Sequence, residues 1–255
     1  MIRVLIALLC LALPASAQSL QEQIVAGLSQ SRVSITANFD GSEILIYGAV
    51  KRDSPVPLGP RLEVIITVEG PTTSQVVRRK DRRYGIWINS AEVTIDSAPS
   101  FYAVASTGKL DDILSKTEDL RHQITIPRAI RAVGIANEAD ESLRFLDAFL
   151  RIREAEGRYS VGEGAVALTE ETLFRSDVEL PANLTEGDYR VRIFLARGGQ
   201  VVDSLERSIG VRKEGLERFF FNLAHEQPFA YGILALVLAV VAGWGASALF
   251  RLVRP

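Results

Sequence analysis

Arg32-Val33-Ser34-Ile35-Thr36-Ala37-Asn38-Phe39 sets Val33, Ile35, Ala37 and Phe39 in alternation with Arg32, Ser34, Thr36 and Asn38. A period of two places the apolar set on one face of an extended chain, so this stretch predicts a strand with one side buried. Asp40-Gly41 then supplies turn chemistry. Outward from there, β-rich runs recur at 43–50, 61–69, 74–79, 84–89, 93–96 and 101–106. The loop holding Pro55, Pro57 and Pro60 is excluded from a central strand, because proline cannot donate to the ladder.

About seven short strands so closely spaced predict an antiparallel sandwich of immunoglobulin-like architecture over residues 18–107. After Gly108 the period changes. Leu110, Ile113, Leu114, Thr117 and Leu120 recur at three and four residues, predicting one helix. Residues 123–126 read as a short strand. Beyond Asn137 a second helix is expected, with Leu143, Leu146, Phe149 and Leu150 on one side and Arg144, Asp147, Arg151 and Glu154 on the other. Residues 157–164 form a glycine-rich break, and strands return at 172–180, 188–196 and 201–211. The run 180–189 (LPANLTEGDY) matches the late-strand crossing of such a sandwich, where a Tyr hydroxyl ties the corner to upstream backbone, which gives Tyr189 a structural role. Arg197-Gly198-Gly199-Gln200 reads as a hairpin turn. The fold expected is therefore mainly β: an immunoglobulin-like sandwich, a smaller α+β region at 108–213 with immunoglobulin-like late strands, and one C-terminal transmembrane helix.

The two ends set the compartment. Met1-Ile2-Arg3, an apolar run from 4 to 13 and Ala15-Ser16-Ala17 follow the order of a secretory leader, with cleavage expected after Ala17. Cys10, the single cysteine, lies inside that leader, so disulfides and thiol catalysis are excluded from the mature chain. Residues 229–250 are 22 residues without a charge, about 33 Å as a helix and enough to cross a bilayer. We place a juxtamembrane helix at 214–227, where Leu216, Phe219, Phe220 and Leu223 share a face, the span at 228–251 and a stub at 252–255. Arg251 and Arg254 put that stub in the cytoplasm and the rest in the periplasm.

With Arg3, Arg251 and Arg254 outside it, the exported part holds 26 basic and 31 acidic residues, a net charge of about -5. A chain of net charge -2 has no overall positive field for phosphate backbones, so nucleic acid is not an expected partner. Arg78-Arg79-Lys80-Asp81-Arg82-Arg83 is nevertheless the densest charge run, followed at once by Tyr84-Gly85-Ile86-Trp87. These cations and Trp87 are the candidate anion or lipid-headgroup contact. The structural alternative is a solvated hairpin whose Ile86 and Ile88 enter the core while its exposed edges carry charge. In the span, Gly232, Ala239, Gly243 and Ser247 form a candidate helix-packing face, since small residues let helices approach closely in lipid.

Signals for catalysis are weak. Neither His122 nor His225 lies near a nucleophile-elbow sequence. Asp111-Asp112, Asp140-Glu141 and Glu170-Glu171 read as acidic pairs near helix starts, where the dipole favours carboxylates. No phosphate loop, dinucleotide fingerprint or zinc-ligand spacing occurs, so no catalytic residue, cofactor or metal is assigned.

The blocks at 23–39 (QIVAGLSQSRVSITANF), 77–89 (VRRKDRRYGIWIN) and 99–106 (PSFYAVAS), with the terminal span, resemble the alphaproteobacterial putative transmembrane protein family, an uncharacterised family with a single C-terminal span. The resemblance implies a bacterial inner-membrane protein with a periplasmic domain, and an association with membrane carriers of the sulfite-exporter type. Together these readings predict a non-enzymatic, membrane-anchored interaction or accessory protein serving an integral-membrane partner. The alternative is a periplasmic domain that binds or senses a small anion.

Overall fold

The computed structural model describes residues 22–36, 39–53, 55–130, 139–213, 220 and 223–253, of which 139–143 and 247–253 are described in backbone only. Mostly β, it builds two main sheets. The first is four-stranded, in the order β1 (Gln23–Leu28), β3 (Gly41–Lys51), β10 (Leu173–Pro181), β9 (Ala167–Thr169). The second has six strands: β2 (Arg32–Ile35), β12 (Gln200–Lys213), β11 (Gly187–Arg197), β4 (Leu62–Glu69), β7 (Tyr102–Ser106), β8 (Tyr159–Glu163). Pairing is antiparallel except at β2–β12 and β7–β8, which are parallel. Both sheets draw strands from either side of residue 107: β10 pairs with β3, β11 with β4 and β8 with β7. The late strands thus complete the same sheets as the early ones.

Period-2 alternation fixes how the sheets face. β10 turns Phe174, Ser176, Val178 and Leu180 inward and leaves the residues between them exposed. They meet Val64, Ile66, Val68, Val191, Ile193 and Leu195 of the second sheet in one apolar layer. On the far side of the second sheet, Ile65, Tyr102, Val104 and Phe194 belong to a separate layer. That layer is covered by α1 (Leu110–Ile113), α2 (Lys116–His122), α3 (Ile126–Ala129) and α4 (Ala139–Ala155). Being buried on both faces, β4 and β7 read as continuous apolar runs rather than alternating ones.

Two corners fix the sandwich. Tyr189 donates its hydroxyl to the Thr185 carbonyl at 2.9 Å, with its ring 6.1 Å from that of Phe101. Burial pushes its hydroxyl pKa up. A Cβ on Gly70 would stand 2.7 Å from Ser100 Oγ and 3.0 Å from the Tyr189 ring, so only glycine fits there. At the other end of β11, Gly198 (φ 59) and Gly199 (φ 82) make the expected turn between Arg197 and Gln200. Beside it, buried Glu22 accepts from Arg52 at 2.6 Å and Arg197 at 2.9 Å. Burial alone would raise the Glu22 carboxyl, but the hydrogen bonds and charges of Arg197 and Arg52 outweigh it and hold it below its ordinary value.

Several expectations are corrected. The single helix over 110–120 is two: Ser115 caps α2 by accepting from the Glu118 amide at 3.3 Å, and Leu120 points to solvent. Residues 123–126 are not a strand. Gln123 takes φ 52 as the α2 C-cap, and α3 follows with proline in its first turn. Arg192 crosses from the sheet to bind the carbonyls of His122 (2.6 Å) and Gln123 (3.0 Å), where a cation suits a helix end. The glycine-rich break contains β8, and the runs 74–79, 84–89 and 93–96 are parts of one long hairpin. Glu170 (φ 51) and Glu171 (φ 48) turn β9 into β10 rather than starting a helix, and the Glu171 carboxylate accepts from the Leu62 amide. Asp111 and Asp112 do occupy the first turn of α1.

The last element is α5 (Pro228–Val253), about 39 Å long at 1.5 Å per residue. Its window from Pro228 to Ala246 has a mean hydropathy of 2.0, and none of it is buried within the protein. The leader at 1–17 lies outside the described residues, as do Leu216 and Phe219 of the expected juxtamembrane helix; residues 223–226 are helical.

Candidate interaction site

Among the described residues β5 (Thr72–Arg83) and β6 (Ile86–Pro99) pair only with each other, as an antiparallel hairpin. Its base belongs to the protein. Ile95 and Ala98 are buried, Val77 packs against the same layer as Leu146 and Leu150, and Arg153 donates to Gln75 at 3.0 Å. Beyond Val77 core contact ends and the strands continue as an arm. Six further residues on β5 make it about 20 Å long at 3.4 Å each. Tyr84 (φ 51) and Gly85 (φ 85) close the tip in the left-handed region that a two-residue turn demands.

The distal arm gathers the basic run. Arg78 meets Glu92 at 3.0 Å, with both side chains more than half exposed, and Arg79 lies 3.7 Å from Asp81. Exposed pairs of this kind contribute about 0–1 kcal/mol. Lys80, Arg82 and Arg83 face Asn89, Trp87 and Ile86 across the ladder, and among the described residues no carboxylate lies within ion-pair distance of them. At the tip Tyr84 is fully exposed, Trp87 is 67% exposed and Ile86 64%. The expectation that Ile86 enters the core is therefore corrected: its strand has left the sandwich before reaching it. Ile88 is half-buried.

The other predicted residues lie elsewhere. Gly232, Ala239 and Gly243 fall within about 40° of one another on α5 at 100° per residue, and a Cβ on either glycine would meet nothing within 4 Å. The Ser247 side chain is outside the described residues. His122 sits 3.4 Å from Glu118 with its ring edge-on to Phe194. Among the described residues no group of three His, Cys, Asp or Glu could hold a metal ion. Sequence reading missed a surface cleft of about 430 Å³ lined by Glu69, Gly70, Gln123, Arg128, Asp188 and Arg190 among others. Glu69 and Arg190 are cross-strand partners joined at 2.6 Å, and that hydrogen bond raises the Arg190 pKa. None of the hairpin cations lines this cleft. Only strand pairing could have revealed it, because Glu69 and Arg190 are 121 positions apart.

No curated protein matches the chain. One family model does, from the first residue of β1 almost to the end of α5: it is described as Putative transmembrane protein (Alph_Pro_TM) and matches residues 23–252. A β-rich body joined to one uncovered apolar helix is the architecture such a description calls for. The chain belongs to this alphaproteobacterial family of transmembrane proteins.

Proposed function

We propose that this protein is a non-enzymatic, membrane-anchored interaction or accessory protein. Its sandwich stands on the periplasmic side of the bacterial inner membrane, its C-terminus is cytoplasmic, and it supports another inner-membrane protein such as a transporter. The observation that carries the reading of a contact protein held at the membrane is the arm, which holds Tyr84, Ile86 and Trp87 in solvent above a run of cations. Edge protection explains exposed charge on a strand but not exposed aromatic surface, and apolar surface kept in water marks contact sites. The uncovered small-residue face of α5 is the companion surface within the bilayer. The family resemblance suggests a sulfite-exporter-type carrier as the partner.

Crosslinking in native membranes followed by purification of the full chain tests this. A stoichiometric integral-membrane partner is expected, with recovery reduced by Gly243→Leu. Recovery of monomer alone contradicts the reading, and an unchanged yield from Gly243→Leu rejects that helix face. The small-anion alternative has less support, because its cations line an open arm rather than a cavity.

A further inference from the structure

We infer that the arm tip is a second membrane contact, in which Lys80, Arg82 and Arg83 engage the phosphates of anionic phospholipids while Tyr84, Ile86 and Trp87 enter the headgroup layer. The inference deepens the reading of the arm as a contact surface by naming what it touches. It leaves the integral-membrane partner to α5.

The first support is position. Register runs across the second sheet through Ser208, Arg190, Glu69 and Tyr102, and Pro71 packs against Gly187, the cross-strand partner of Val211. The base of the arm at Thr72 and Pro99 therefore leaves the sandwich at the edge where β12 ends at Lys213. Only 14 residues separate Lys213 from Pro228, a reach of at most about 50 Å. The free arm beyond Val77 extends about 20 Å, well within that reach, so the tip can meet the lipid surface while the tether stays in place. A surface held this close by its own anchor meets lipid at high effective concentration.

The second support is chemistry. The exported part is acidic as a whole, so an anionic surface repels it on average, yet three cations without carboxylate partners are collected beside the tip. Trp and Tyr settle at the membrane interface because their rings are apolar and their edges polar. Basic residues near an anionic surface add roughly a fivefold factor each. Cations flank the tip on both faces of the ribbon, Arg82 pairing with Trp87 on one and Arg83 with Ile86 on the other, so an arm that enters end-on brings both sets to headgroup level together.

The test uses the full chain carrying Trp244→Phe, which leaves Trp87 as the sole tryptophan. It is reconstituted in nanodiscs of phosphatidylcholine, with or without phosphatidylglycerol. In anionic discs we expect blue-shifted Trp87 emission, quenching by brominated lipid and shielding from acrylamide. Joint replacement of Lys80, Arg82 and Arg83 by Gln should lower the ratio of inserted to free arm about a hundredfold. Raising salt from about 0.1 to 1 M, which shortens the screening length from about 10 to 3 Å, should release the tip. Trp87 open to acrylamide in anionic discs overturns the inference, as does equal quenching in neutral discs or by the triple variant. Protection seen only in native membranes assigns the tip to a protein and also overturns it. Partner recovery through α5 is scored separately, so failure of one reading is distinguishable from failure of the other.

Discussion

At the scale of single residues, Glu22 binds the end of β3 to the β11–β12 turn through two arginines. Its folded carboxyl titrates below its free value of 4.5, so the unfolded chain takes up a proton first as pH falls. The stabilisation is therefore complete above pH 4.5 and is lost below it. Glu22→Gln should cost about 3 kcal/mol at neutral pH, the low end for a broken buried pair, because Glu171 still contacts both arginines. It should also flatten the stability profile below 4.5, as read by denaturant unfolding across pH. An unchanged acid limb would remove Glu22 from the account. At the other corner, Tyr189→Phe should cost about 1 kcal/mol by orphaning the Thr185 carbonyl. Gly70→Ala should cost more, about 1–3 kcal/mol, since its methyl group must push Ser100 Oγ aside and crowd the Tyr189 ring. A neutral Gly70→Ala would show that this packing is loose.

At the scale of elements, the arm and α4 should respond in opposite ways. Replacing Trp87 by Ser, or Lys80, Arg82 and Arg83 by Gln, should change stability by less than about 0.5 kcal/mol, because those side chains touch little of the protein. Phe149→Ala should cost about 3–5 kcal/mol, since that ring is buried edge-on to Tyr159. Thermal unfolding of purified protein compares them, and a strongly destabilising arm variant would mean the hairpin is structural. The same contrast bounds what the sequence could reveal. Alternation found β2, because a half-buried strand must alternate, while β-rich composition marked β3, β10 and β11. It missed β1, where Ala26 and Gly27 blur the contrast, and β8, an edge strand within a glycine-rich stretch. The Ser115–Glu118 spacing of a helix start was overlooked, because the apolar period runs across it from Leu110 to Leu120 and suggested one helix. The arm's cations were equally plain. That Ile86 stands in water was not, because periodicity tells which residues share a face and never what that face meets.

At the scale of the molecule, one apolar helix holds a two-sheet body at a membrane, and the two proposed contact surfaces lie on the arm and on α5. Removing residues 228–255 should release the remainder into the supernatant after ultracentrifugation, while the full chain stays with membranes in carbonate. A remainder that still sediments would point to an anchor other than α5. Strand pairing across residue 107 makes the body respond as one unit, so substitutions in β3 and β10 should act on a single unfolding transition.

Labelling of a Val161→Cys variant by a membrane-impermeant maleimide tests the central claim most directly. Val161 is half exposed in β8, on the two-sheet body. With the sandwich in the periplasm, the thiol reacts in intact spheroplasts while the wild-type chain, whose single cysteine is Cys10 in the proposed leader, does not. Reaction only after the inner membrane is broken would place the body in the cytoplasm and contradict the account.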